Sequence, residues 1–177
     1  MNAYKLWQNI KKALGITAVV AVTTTATGMN PVVFEHVKAI EGTVLTAYKD
    51  IVGVPTIGTG HTNHVGTHKF KMGDTWTAEY ADTVLQSDLQ MFWDKIDQQV
   101  TVDLTACQHS VLTSWAFNVG TGATGKSTLV RLLNQGQYDA VPAQLKRWDR
   151  AGGKRVRGLT RRRAIEADLW SNNCEGS

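Results

Sequence analysis

The stretch EGTVLTAYKDIVGVPTIGTGH, residues 41–61, sets one glutamate and one aspartate among four glycines and several β-branched side chains. Its apolar residues are broken into short runs by Gly53, Pro55, Gly58 and Gly60. Short apolar runs bounded by glycine and proline are typical of a small twisted hairpin sheet. A polar surface loop has a similar composition, so the meaning of the two carboxylates depends on the segments around them.

Residues 30–42, NPVVFEHVKAIEG, predict the helix that leads into this stretch. Asn30 is a good cap residue, Pro31 suits the first helical turn, and Gly42 is expected to end the helix. The apolar residues on one face are Val33, Val37 and Ile40. Glu41 is therefore expected at the C-terminal end of a helix, directly before the hairpin.

Helical periodicity dominates the remainder of the chain. Residues 77–100 predict a long helix able to join two lobes, with acids on one side and these apolar residues on the other: Leu85, Leu89, Phe92, Trp93, Ile96 and Val100. Residues 107–120, CQHSVLTSWAFNVG, predict another strong helix. Shorter helices are predicted at residues 127–133, 138–147 and 161–170, separated by Gly136 and by RAGGKRVRGL. The pattern indicates a mostly helical α+β fold without internal repeats.

Length and composition favour a folded globular chain. It has 177 residues, of which 42% are hydrophobic, and six tryptophans. This is enough for one well-buried core, or for two small lobes that share a helix. Disordered and fibrous classes are excluded on the same grounds.

Charge is distributed unevenly along the chain. The formal net charge is +4, with basic residues clustered between positions 131 and 163 and acids between positions 74 and 103. Such polarity fits an anionic partner such as a cell-wall polymer, a membrane surface or nucleic acid, and it equally fits a solvated basic helix pair set against an acidic one. The run Arg161 to Arg163 has no interleaved aromatic platform, which argues against nucleic acid and favours a helix surface paired with acids.

The N-terminal segment has the features of an export signal. Lysines at positions 5, 11 and 12 precede residues 13–34, which carry no charge. The apolar centre, residues 13–22, is short for a permanent span of ~20 residues. Three interpretations stay open: a signal peptide cut near Gly28, an uncleaved weak anchor, or a buried amphipathic helix. The first two place the protein outside the cytoplasm, where Cys107 and Cys174 can form one disulfide.

Glu41 and Asp50 have the chemistry required to cleave a glycosidic bond. That reaction needs an acid to protonate the leaving oxygen and a second group on the other face of the sugar to handle water or oxocarbenium charge. A glutamate at a helix end beside apolar side chains loses hydration, which suits it to give up a proton. Asp50, beside Lys49, is expected to stay ionised, and Thr56 has a hydroxyl that can hold a water against it.

The strings EG, YKD and TIGTGH in the opening stretch closely resemble the catalytic region of the T-even phage lysozyme family. The resemblance implies that Glu41 is the general acid, that Asp50 positions the attacking water or the charge, and that Thr56 completes the triad. It also implies an orienting role for His61 next to the aspartate. The substrate-binding residues carried over from the family are His61, Thr62, Phe117 and Asn118, with core packing as the alternative for Phe117.

Four later strings extend the resemblance. AFNVG at 116–120, STLVRLLNQG at 127–136, RWDRAGGK at 147–154 and GLTRRRAIEADLW at 158–170 are similar to the C-terminal lobe of lambdoid phage endolysins. They imply an α+β, mostly helical, lysozyme-like two-lobe fold, with a small β-hairpin sheet lobe and a helical C-terminal lobe joined by a long helix. The implied activity is hydrolysis of the β-1,4 bond between N-acetylmuramic acid and N-acetylglucosamine in peptidoglycan, for host lysis, without cofactor or metal.

ALGITAVVAVTTTATG, residues 13–28, is similar to the weakly hydrophobic anchor of signal-arrest-release endolysins. This favours the uncleaved anchor and divides the chain into a signal segment, residues 1–29, and a catalytic domain, residues 30–177. It implies transient association with the host inner membrane through residues 13–28, followed by release into the periplasm. The partners expected are peptidoglycan glycan strands, with the enzyme acting as a monomer and binding no nucleic acid.

Two other motifs compete with this interpretation. GTGATGKS, residues 120–127, satisfies the phosphate-loop pattern and would place Lys126 on a nucleotide. That pattern requires a preceding strand, whereas residues 106–119 have helical periodicity, so a turn between two helices is expected. His61, His64 and His68 have spacings seen in zinc sites, but their loop has no acidic or thiol partner.

Overall fold

The computed structural model describes residues 28–50 and 53–174, so the predicted signal segment, residues 1–29, lies almost entirely outside the described residues. Within the described ranges, no helix combines the length and the apolar character needed to cross a bilayer.

Helix α1 (Pro31–Glu41) forms as its end signals predict. The Asn30 side chain accepts a hydrogen bond from the backbone N–H of Val32, and Gly42 ends the helix at a φ of 70°, a conformation that glycine adopts without steric cost. Val33 and Val37 are buried as expected. Ile40 was predicted on the same face but is 37% exposed, so the buried face ends before the last turn of the helix.

The predicted hairpin is confirmed as a three-stranded antiparallel sheet. Its strands are β1 (Val44–Lys49), β2 (Pro55–Gly58) and β3 (His61–Thr62), hydrogen-bonded in that order. The register pairs Tyr48 with Thr56 and Thr56 with Thr62. Strand β2, which carries Thr56, is thus the central strand of the sheet and lies between β1 and β3.

Two long helices connect this sheet to the rest of the molecule. Helix α2 (Ala78–Gln99) contacts strands β2 and β3 at one end and helix α3 (Ala106–Val119) along its length. Its start is fixed by Thr77, whose hydroxyl accepts from the Tyr80 backbone. Helix α3 begins with a capping box between Thr105 and Gln108. The long helix predicted to join two lobes is therefore α2.

The remaining helices form the C-terminal part of the larger lobe. They are α4 (Thr121–Thr124), α5 (Thr128–Leu133), a 3-10 turn (Tyr138–Ala140), α6 (Val141–Lys146) and α7 (Arg157–Asn173). A second hairpin, β4 (Arg150–Ala151) with β5 (Lys154–Arg155), lies in the segment predicted to separate two helices. Helix α7 starts four residues earlier than predicted, because the polar residues of its first turn carry little apolar periodicity.

The buried side chains confirm a two-lobe α+β arrangement. The largest cluster surrounds α3, with Val111, Leu112 and Trp115 fully enclosed. A second lies between α1 and α2 and consists of Met29, Phe34, Val37, Leu85 and Leu89. A third holds the sheet together through Ala47, Ile57 and Phe70. The sheet and the helical lobe each have their own core, and α1 and α2 pack together between them.

A disulfide between Cys107 and Cys174 joins the first turn of α3 to the residue that ends α7. Both cysteines are buried, and they lie 67 residues apart in the chain. The sequence left this pairing open. The bond closes a loop that contains nearly all of the helical lobe.

We expect replacement of both cysteines by serine to lower the free energy of unfolding by about 2 to 4 kcal/mol, because closing a long loop restricts the unfolded chain. Urea unfolding followed by tryptophan fluorescence measures the change. The double variant should be insensitive to reductant, whereas reduction of the wild type should reproduce its loss. Equal stability of the variant and the oxidised wild type would contradict the expectation.

Candidate active site

Glu41 is the last residue of α1, and its side chain lies at the junction of the two lobes. The side chain is 24% exposed, and its Oε1 accepts a hydrogen bond from Nη1 of Arg162 on α7. The sequence predicted apolar neighbours for this glutamate. Its nearest charged neighbour is instead a buried arginine from the other end of the chain, so the surroundings of Glu41 are polar on that side.

The turn between β2 and β3 lies against the other carboxylate oxygen of Glu41. A Cβ placed on Gly60 would be 3.9 Å from Glu41 Oε2. Near the base of the same turn, the hydroxyls of Thr43 and Thr59 are 2.9 Å apart. The helix end and the hairpin are therefore in direct proximity.

Asp50 and Thr56 are both held by the main chain of Val54. Asp50 Oδ1 accepts from the Val54 N–H at 2.8 Å, and Thr56 Oγ1 donates to the Val54 carbonyl at 3.0 Å. Thr56 is buried and Asp50 is half-buried. The structure thus brings these two predicted residues to one backbone unit, and because the Thr56 hydroxyl uses its proton on the Val54 carbonyl, its oxygen can act as a hydrogen-bond acceptor.

His61 is enclosed beneath the sheet. It is 2% exposed, its Nδ1 is 2.7 Å from Asp88 Oδ2 on α2, and its Nε2 is 3.0 Å from the His68 carbonyl. Both ring nitrogens are engaged within the protein, so neither reaches a sugar, and the carboxylate beside the ring is that of Asp88, where Asp50 was predicted. His61 therefore ties strand β3 to α2.

The other predicted substrate-binding residues have different surroundings. Thr62 is half-buried and lies next to Thr56 in the sheet. Asn118 is exposed near the end of α3, and its Oδ1 accepts from Nη2 of Arg163 at 2.7 Å. The ring of Phe117 is half-buried and packs edge-to-face on Phe92 with centroids 5.2 Å apart. Thr62 and Asn118 are accessible, whereas Phe117 is mainly a packing residue.

Three charged residues on α7 lie beside this site and were not predicted as site residues from the sequence. Arg162, Arg163 and Glu166 are 2%, 0% and 0% exposed. The predicted helix surface is therefore wrong for Arg162 and Arg163, whereas the predicted pairing with acids is confirmed for both. Glu166 follows them at the i+4 and i+3 positions, and this spacing was the one signal in the sequence that could have indicated a paired, inward-facing set.

The segment that resembles a phosphate loop is a helix connection. Helix α3 precedes it, α4 lies within it, and Ser127 caps α5 by accepting from the Val130 backbone N–H. Lys126 is exposed at this turn. A helix in place of the required strand confirms the expected turn between helices.

Comparison with known proteins gives the family. The phage lysozyme family profile matches residues 38–166. The chain belongs to the phage lysozyme family. It is 38% identical over 133 residues to the SAR-endolysin of Enterobacteria phage PA-2, covering 74% of this chain and 78% of that protein. It is 35% identical over 158 residues to the SAR-endolysin of Bacteriophage PS119, covering 88% of each.

Solved structures agree with this family assignment. A crystal structure of a P22 lysozyme mutant is similar with a TM-score of 0.71 and 36% identity, covering 81% of this chain and 98% of that one. The chain is thus a peptidoglycan-hydrolysing endolysin of the signal-arrest-release branch, and its lysozyme-like fold is confirmed.

His36 on α1 is a further unusual residue near the site of this lysozyme. Its Nε2 is buried and finds no hydrogen-bond partner among the described residues. Burial, together with the positive charges of Arg162 and Arg163, lowers the pKa of His36 to about 4. The imidazole is therefore neutral at neutral pH, and it lies beside the two arginines without adding a third positive charge.

This lowered pKa predicts a pH dependence of folding. Between pH 6.5 and 4 the unfolded chain binds a proton at His36 that the folded protein does not, so this contribution to stability is complete above pH 6.5 and is lost as the pH falls, by about 3 kcal/mol in all. We expect His36→Gln to remove that loss. Urea unfolding curves at several pH values measure it, and parallel pH profiles for the variant and wild type would contradict it.

Proposed function

We propose that this endolysin hydrolyses the β-1,4 bond between N-acetylmuramic acid and N-acetylglucosamine, with Glu41, Asp50 and Thr56 as its catalytic residues. The observation that carries the proposal is the meeting of two elements. The end of α1 presents Glu41, and the hairpin beside it holds Asp50 and Thr56 on the backbone of Val54. An acid and a water-holding pair on neighbouring elements are the groups that glycoside hydrolysis requires.

Glu41 is the group that protonates the leaving oxygen. Its Oε1 is held by Arg162, whereas Oε2 lies toward the β2–β3 turn, near Gly60. A proton on Oε2 therefore points to the side of the site on which the hairpin lies. Transfer of that proton to the glycosidic oxygen allows the bond to break as positive charge develops on the sugar.

Asp50 and Thr56 orient the water that attacks the sugar. The Thr56 hydroxyl donates to the Val54 carbonyl, so its oxygen acts as an acceptor toward a water proton. The Asp50 carboxylate accepts a hydrogen bond from the other O–H of that water and takes its proton as the oxygen attacks, or it stabilises the developing positive charge. Attack by a water held opposite the leaving group inverts the configuration at the sugar carbon.

Thr62 and Asn118 are the groups we assign to sugar contacts. Thr62 neighbours Thr56 in the sheet, and Asn118 is exposed on the helical lobe. Contacts from both lobes would hold one glycan strand across the site. Phe117 is largely committed to packing against Phe92, and His61 supports the hairpin through Asp88.

Glu41→Gln tests the assignment of the acid. An amide of the same shape cannot donate the required proton, so release of new reducing muramic ends from purified peptidoglycan should fall by at least about 100-fold. Muropeptide analysis of the digested wall measures those ends. Lys126→Ala is the matched control and should keep wild-type activity. Retained hydrolysis by Glu41→Gln would refute the assignment, and dependence on Lys126 would indicate a nucleotide-dependent enzyme.

We also propose that residues 1–29 act as an uncleaved anchor that precedes the catalytic domain, residues 30–177. The supporting observations are the basic flank, the short diluted apolar centre and the similarity to relatives named SAR-endolysins. The segment holds the enzyme at the host inner membrane through residues 13–28. It then leaves the bilayer, and the enzyme acts in the periplasm as a monomer.

The mass of the periplasmic protein tests this anchor. Because release without cleavage retains every residue, intact mass spectrometry of the periplasmic fraction should give the mass of the full chain. A variant that lacks residues 1–29 is the control and should stay in the cytoplasm. A periplasmic form that has lost residues 1–28 would show that the segment is a cleaved signal peptide.

A further inference from the structure

We propose that Glu166, a buried carboxylate on α7, is a positioning residue that holds Arg162 against Glu41 and Arg163 against Asn118. The inference rests on the proposed function, because it takes Glu41 as the acid and Asn118 as a sugar contact. It adds a residue that touches neither the sugar nor the reacting atoms. Through two arginines, Glu166 fixes the acid and the sugar-binding amide relative to each other.

The buried carboxylate of Glu166 contacts both arginines. Its Oε1 accepts from Nε of Arg162 at 3.1 Å and from the Ser114 hydroxyl at 2.9 Å. Its Oε2 forms an ion pair with Nη1 of Arg163 at 3.1 Å. Because Glu166 is fully buried between α7 and α3, it cannot exchange these partners for water.

The two arginines carry these contacts outward to the site. Arg162 donates through Nη1 to Glu41 and through Nη2 to the Ser114 carbonyl at 3.0 Å, so three of its nitrogens are fixed. Arg163 donates through Nη2 to Asn118 at 2.7 Å. Each guanidinium therefore bridges Glu166 to one residue of the site, and a movement of Glu166 is transmitted to both.

Charge balance explains why Glu166 is required. Arg162 and Arg163 are both buried, and adjacent buried cations repel unless carboxylates neutralise them. Burial raises the pKa of Glu166, and the two arginines oppose that shift. Burial also lowers the pKa of Arg163 to about 10, which leaves it charged at neutral pH. Glu166 is the buried carboxylate that pairs with both arginines, and Glu41 contacts Arg162 from the other side.

The planar fork of Arg162 makes its contacts geometric as well as electrostatic, whereas Arg163 meets Glu166 as an ion pair without hydrogen-bond geometry. A lysine in either position keeps the charge but has a single nitrogen, so it cannot contact Glu166 and a site residue at fixed separation. Arg162 contacts the acid Glu41, so the position of Arg162 is expected to affect kcat. Arg163 contacts Asn118, the proposed sugar contact, so the position of Arg163 is expected to affect KM.

The test measures kcat and KM on soluble glycan strands for three variants. Arg162→Lys should lower kcat by about 10- to 100-fold, because small displacements of an acid are costly to the reaction. Arg163→Lys should raise KM and leave kcat near the wild-type value. Glu166→Gln, which keeps the shape and removes the charge, should do both, and Glu166→Asp should restore part of the lost activity.

Asp168→Asn is the matched control. It removes a carboxylate from the same helix, where Asp168 contacts Asn172 and lies outside the network, and should leave kcat and KM unchanged. Circular dichroism melts confirm that each variant is folded at the assay temperature. If Glu166→Gln does not fold, the split between the two lysine variants decides the matter.

Two outcomes would overturn the inference. The first is a folded Glu166→Gln enzyme with wild-type kcat and KM, and the second is lysine variants that change kcat and KM in the same proportion. Glu41→Gln, assayed in parallel, separates this result from the function itself. If Glu41→Gln is inactive while Glu166→Gln is normal, only the positioning role fails; if Glu41→Gln is active, the proposed function fails.

Discussion

The ion pair between Glu41 and Arg162 is the contact on which the site depends. It joins the end of the first described helix to the last helix, across 121 residues of sequence. The sheet follows Glu41 directly, so the position of the hairpin relative to the helical lobe is set partly by this pair and partly by the contact of His61 with Asp88 on α2. One polar contact from α7 and one from α2 therefore locate the small sheet over the larger lobe.

Local signals in the sequence predicted the elements that carry the catalytic residues. Helix α1 begins and ends at the residues that its cap and glycine indicated, because capping and left-handed glycine are local backbone effects. The hairpin was predictable for the same reason, because glycine and proline mark the ends of its strands in the sequence. The carry-over of Glu41, Asp50 and Thr56 needed the resemblance in addition, because spacing alone does not give the distance between side chains.

The buried network on α7 could not be predicted in the same way. Patterns of apolar residues treat arginine and glutamate as exposed, which is correct for most of them. Arg162 and Arg163 are buried because partners from α1, α3 and α7 converge on them, and those partners lie between 3 and 121 residues away in sequence. Burial of a charge is decided by its partners, so it becomes visible only when the chain has been folded.

The disulfide between Cys107 and Cys174 also affects how readily the partners of this network meet in the unfolded chain. Ser114, Asn118, the two arginines and Glu166 all lie inside the covalent ring that the bond closes. Ring closure raises the effective concentration of such partners for one another even in the unfolded chain. After oxidation, the contacts of Ser114 and Asn118 with α7 join residues of one closed ring, although they lie 45 to 52 residues apart in sequence. Glu41 lies outside that ring and reaches the network through Arg162.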